Sequence, residues 1–149
     1  MNISQVLSKQ TIALNMKVQT KVDALSALTD LLCESGAVKD REAFLNDVIK
    51  REEISTTGIG NYIAIPHGKS ANVEHTAAAV GRVDGELEWQ SVDGKPVKFI
   101  VLLAVNENDK TGVHVKLLSQ MARKLASEAT CAQLISAQTA DEILDIFSN

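Results

Sequence analysis

Aromatic side chains are scarce in this 149-residue chain: three Phe, one Trp and one Tyr make up 3% of it. The core must therefore be built from Val, Ile, Leu and Ala, which supply most of the 45% apolar fraction. Few rings and a formal net charge of -4 argue against a broad nucleic-acid surface, which needs clustered Lys and Arg and often stacking aromatics. Long apolar runs are absent as well. The longest, Phe99–Val105, is far short of the ~20 residues a membrane helix requires, so no segment is expected to span a bilayer. The start, MNISQVLSKQ, has no apolar stretch behind a basic region; no secretory leader is expected, and the chain reads as cytoplasmic.

Cysteine is also rare. Cys33 and Cys131 lie in helix-like apolar patterns rather than in a CxxC pair, which favours buried, reduced thiols over a redox or metal role. Three histidines without HxH or HExxH spacing make a metal site unexpected. No GxSxG elbow supports Ser/His/Asp hydrolysis, and Ser70 follows His67 without a strand-turn-helix setting. The length suits one domain, 1–149, with no repeat or linker to suggest a second.

Periodicity supplies the elements. Thr20 with Asp23 resembles a helix cap, and Val22, Leu25, Leu28, Leu31 and Leu32 recur at helical spacing until Gly36. Asp40 can cap a second helix with Phe44, Leu45, Val48 and Ile49 on its buried face and Arg51 near its last turn. Residues 55–61 read as loop, Tyr62–Ile65 as a short strand ended by Pro66, and Thr76–Val83 as a strand. Asp84-Gly85 reads as a hairpin turn, Leu87–Gln90 as a strand and Asp93-Gly94 as another turn, giving an antiparallel meander. The consecutive apolar residues from Phe99 predict a central strand covered on both faces. His114, Leu118, Met121 and Leu125 share one helical stripe, Leu134 and Ile135 mark a short helix, and Thr139 with Glu142 opens a last one. The class expected is α/β: a small mixed β-sheet with helices on both faces, in three α/β/α layers.

Chemistry concentrates between Arg51 and Lys69. A histidine bracketed by Pro66 and Gly68 cannot sit deep inside regular structure, so His67 should reach a surface or cleft; a solvated loop histidine and a functional one both fit. His114, at a helix start, fits either a core-covered ring satisfied by a hydrogen bond or a site residue. Arg51 at a helix C-terminus would be favourable there without further purpose. Gly58-x-Gly60 is ordinarily only a turn and weak evidence for a phosphate cradle. His75 has only polar loop around it.

Taken together, Arg51, the string STTGIGNYIAIPHGK, the later LLAV and a helix opening with His114 resemble the enzyme IIA domain of the fructose/mannitol class in the bacterial phosphotransferase system. The resemblance covers nearly the whole chain. It departs at Tyr62, where the family often has glycine, and at Val105-Asn106, where a proline often follows the strand. It implies that His67 is phosphorylated, that His114 is its neighbour in the site, and that Arg51 holds the phosphoryl oxygens. It further implies a backbone anion site around Thr57, Gly58 and Gly60, no cofactor or metal, the phosphocarrier HPr as donor, and the cysteine of a sugar transporter's IIB domain as acceptor. A nitrogen-related regulatory branch of the family, acting through phosphorylation-dependent protein binding, is the alternative role.

Overall fold

A computed structural model describes residues 2–109 and 111–149. After short 3-10 turns at Ile3–Gln5 and Lys9–Thr11, the chain runs β1 (Ile12–Met16), α1 (Lys21–Glu34), α2 (Arg41–Ile54), β2 (Gly58–Gly60), β3 (Ile63–Ala64), β4 (His67–Ser70), β5 (Ala77–Leu87), β6 (Val97–Asn106), α3 (Val113–Leu125), α4 (Glu128–Ser136) and α5 (Ala140–Ser148). The expected caps are in place. Thr20, Asp40 and Thr139 each accept from the backbone N–H three residues on, satisfying a donor that a helix start leaves unpaired.

Among the described residues the strands form one mixed sheet in the order β1-β5-β6-β3-β2, with β4 also paired to β6. β6 is central: it is antiparallel to β5 and parallel to both β3 and β4. Its side chains alternate between two apolar layers. Ile100, Leu102 and Ala104 pack with Leu25, Leu28, Phe44 and Val48 of α1 and α2; Phe99, Val101, Leu103 and Val105 pack with Leu117, Met121, Leu134, Ile143 and Phe147 of α3 to α5. A strand with water on neither side needs this unbroken apolar run. The three-layer α/β/α architecture expected from the sequence is the one observed. No described helix is long and apolar enough to cross a membrane.

Several details differ from expectation. Asp84-Gly85 is not a turn: β5 continues to Leu87, which pairs with Val97, and a register shift after Arg82 absorbs the irregularity. Glu88–Gln90 lies outside any strand. The meander is thus one long pair, β5 with β6, reversing at Gly94, whose φ of +73° suits glycine. β1, which the weak alternation of Ile12–Met16 did not announce, adds a parallel edge to β5. Val22, expected on the buried stripe of α1, is exposed. Within the anticipated loop 55–61, β2 pairs with β3 through a two-residue turn at Asn61 and Tyr62. Both residues have positive φ, at +56° and +68°, as such hairpins demand. Tyr62 has no glycine's freedom there; Lys98 Nζ lies 4.4 Å and Lys95 Nζ 5.3 Å from its ring centroid, which offsets part of the strain.

Candidate active site

Pro66 splits what would be one strand along β6. Ile63 and Ala64 pair with Phe99 and Ile100, and pairing resumes at His67 with Leu103. Proline lacks the N–H for a ladder, but its carbonyl still accepts from Leu103 at 3.0 Å and keeps the register. His67 therefore opens a strand of its own rather than lying past a strand end. The next residue sets its distance from α2. A Cβ on Gly68 would stand 2.8 Å from Val48 Cγ2 and 3.0 Å from Phe44 Cε1, so only glycine lets β4 lie flush against that helix. Arg51, one turn beyond Val48, is carried to the same place.

The His67 ring is half-buried, with Nδ1 3.4 Å from the Ile65 carbonyl. A carbonyl only accepts, so the proton belongs on Nδ1 and the lone pair on Nε2. Burial holds the imidazole below its usual pKa; the Ile65 carbonyl opposes this, Arg51 and His114 add to it, and Glu52 opposes it. Around physiological pH the ring is neutral and nucleophilic.

Arg51 and His114 line the same cleft as His67, a space of about 450 Å³ whose other walls include Thr56, Thr57, Ile59, Ile65, Val115 and Leu118. The structure thus brings together three residues far apart in the chain. Arg51 donates from Nη1 to the Ser55 carbonyl at 3.0 Å and hydroxyl at 3.4 Å. Among the described residues its remaining guanidinium donors have no hydrogen-bond partner, so it is anchored at one corner with the rest of the fork free for an anion. His114 enters on the first turn of α3. His75 is exposed and away from this cleft.

At the backbone anion site expected around Thr57, Gly58 and Gly60, the donors of the first two are engaged within the fold. The Thr57 N–H and hydroxyl both donate to Glu52, and the Gly58 N–H donates to the Thr56 hydroxyl at 3.1 Å. At Gly60 a Cβ would lie 3.2 Å from the Asp93 carboxylate, whose charge disfavours a second anion. Gly58 is needed instead for close approach, since its Cβ would sit 2.5 Å from the Gln90 carbonyl.

Glu52 was not foreseen. Its side chain is 5% exposed, yet it gathers Lys21 Nζ at 3.0 Å, Thr57 N at 3.0 Å and Trp89 Nε1 at 3.2 Å. Burial alone would raise its pKa; the hydrogen bonds from Thr57 and Lys21, with the Lys21 charge, outweigh that and hold it below the usual carboxylate range. A sequence signal existed: Phe44, Val48 and Glu52 fall four apart on one helical stripe, and an acid on an apolar stripe calls for donors.

Residues 5–149 match the family described as phosphoenolpyruvate-dependent sugar phosphotransferase system, EIIA 2. The chain belongs to this EIIA family. The 2-O-alpha-mannosyl-D-glycerate-specific EIIABC component of Escherichia coli is 35% identical over 97% of the chain, and the fructose-specific EIIABC component of Bacillus subtilis is 34% identical over 99%. The chain spans only 22% and 23% of the lengths of those two relatives. The nitrogen regulatory protein IIA-Ntr of Neisseria meningitidis superposes with a TM-score of 0.90 at 31% identity, covering 97% of this EIIA chain and 98% of its own. EIIA proteins are phosphoryl carriers of the phosphotransferase system, including the nitrogen-regulatory members.

Proposed function

We propose that His67 accepts a phosphoryl group from phospho-HPr in the cytoplasm and passes it to a cysteine of a transporter's IIB domain. The observation that supports this best is the half-buried, neutral His67, with its proton on Nδ1, in one cleft with Arg51 and His114. As the P–Nε2 bond forms, the P–N bond to the donor's histidine breaks and that ring leaves as neutral imidazole. In the onward step the cysteine thiolate forms P–S as P–Nε2 breaks, returning the lone pair to His67. Such transfer asks the protein chiefly for alignment and charge stabilisation; Arg51's free donors meet the phosphoryl oxygens, and His114 adds a second contact.

Intact-mass measurement after incubation with phospho-HPr tests the reading. Wild type gains one phosphoryl group and His67→Ala gains none; an unlabelled wild type, or a labelled His67→Ala, refutes it.

A nitrogen-type regulatory role is the second reading, favoured by the near end-to-end match to IIA-Ntr. It predicts partners retained according to the phosphorylation state of His67, with no onward transfer to any IIB domain. Fast dephosphorylation by a IIB domain selects the transport reading.

A further inference from the structure

We propose that Asp109 is a positioning residue that acts through His114, keeping a proton on the ring's Nδ1 and turning Nε2 into the cleft. The transfer half of this proposal rests on the phosphoryl-carrier reading. His114 Nδ1 and Asp109 Oδ2 face each other at 4.0 Å. Both atoms are sealed from solvent, and neither has a hydrogen-bond partner among the described residues. A buried polar atom left unpaired costs about 1–3 kcal/mol, so two complementary ones side by side favour closure of the gap. Functional hydrogen bonds are often long in an unoccupied site and tighten when it fills.

The carboxylate is anchored for this task. Oδ1 accepts from Thr111 N at 3.1 Å and Thr111 Oγ1 at 2.7 Å, which leaves Oδ2 for His114. Asp109 is held in its charged form chiefly by the Thr111 hydroxyl, against partial burial, with help from the Thr111 backbone and the first N–H groups of α3. The His114 side chain is 26% exposed while Nδ1 is sealed, so its open part is the far edge, where Nε2 lies. That ring also lines the His67 cleft.

A carboxylate accepts only, so it selects the ring state with a proton on Nδ1. With Nδ1 held by Asp109, Nε2 is turned toward the place where the phosphoryl oxygens sit, and the carboxylate balances positive charge on the ring when it donates to them.

The ring-nitrogen NMR shifts of His114, together with phosphoryl uptake from phospho-HPr and onward transfer to a IIB domain, test this in wild type, Asp109→Asn and Thr111→Ala. Wild type shows Nδ1 protonated. In Asp109→Asn the amide oxygen keeps the two Thr111 donors, so the amide NH₂ faces Nδ1 and drives the proton to Nε2. Onward transfer then falls on the order of 10- to 100-fold, the range seen when a metal-binding histidine loses the partner that orients it. Thr111→Ala takes away the hydroxyl that anchors Oδ1, so Oδ2 is aimed less firmly, and it moves the tautomer and the transfer rate in the same direction as Asp109→Asn by a smaller factor. A bare Nδ1 in wild type overturns the proposal even if Asp109→Asn fails to fold, and so does Asp109→Asn with unchanged tautomer and transfer. A wild type with Nδ1 protonated that takes up no phosphoryl group overturns the carrier reading and the transfer half, but leaves the Asp109–His114 contact standing.

Discussion

Glu52→Ala removes a carboxylate that ties three segments together beneath the candidate site: α1 through Lys21, the strand entry through Thr57, and the loop after β5 through Trp89. Its cost follows from what is left behind. The Thr57 N–H and Trp89 Nε1–H are buried donors with no water to turn to, at about 1–3 kcal/mol each. Lys21 Nζ can swing to solvent because its side chain is 29% exposed, and the Thr57 hydroxyl can rotate, so both add less. The expected loss is about 3–5 kcal/mol, as for breaking a buried pair by removing one partner. Against a total stability of roughly 5–15 kcal/mol the variant still folds, but weakly. Glu52→Gln keeps the shape and one acceptor while setting an NH₂ against a donor, and should lose about 1–3 kcal/mol. Urea unfolding midpoints measure both. Because Glu52 titrates below its usual range when folded, its contribution is complete above the ordinary glutamate value and is lost as pH falls through the lowered one. The wild-type advantage over Glu52→Gln should therefore shrink only in acid. A Glu52→Ala loss under about 1 kcal/mol would show that the donors find other partners and refute the reasoning.

His67 titrates below its usual value when folded, so the unfolded chain binds the extra proton first. Stability should fall as pH drops through the ordinary imidazole value and level off below the lowered one; His67→Gln should flatten that slope in pH-dependent urea unfolding. Gly68→Ala pushes a methyl against Val48 and Phe44, costing about 1–3 kcal/mol by overpacking. It should also slow phosphoryl uptake by moving α2, and Arg51 with it, away from β4; wild-type uptake would separate Gly68 from the site. Tyr62→Gly trades about 1–2 kcal/mol of left-handed strain against lost lysine contacts and a freer unfolded chain, and should leave the thermal midpoint nearly unchanged.

Wherever local chemistry decides local structure, the chain alone was sufficient. Side-chain caps at Thr20, Asp40 and Thr139 start helices by hydrogen bonds within one turn, and the apolar run from Phe99 has the pattern of a strand covered on both sides. The bracket of Pro66 and Gly68 announced an accessible His67 for the same reason, because proline and glycine act on the backbone next to them. Long-range pairing decided the rest. Asp84-Gly85 has the residues of a turn but lies in a strand, in the irregular stretch between Arg82 and Leu87, whose two ends are both paired with β6. Thr57 and Gly58 have the residues of an anion cradle, but their donors are taken by Glu52 and Thr56. Which groups share the cleft is likewise a tertiary fact: Arg51, His67 and His114 meet because a glycine lets β4 touch α2 and the central strand sets where α3 begins. A residue's type states what it can donate, accept or bury, and only the folded chain states which partner reaches it first.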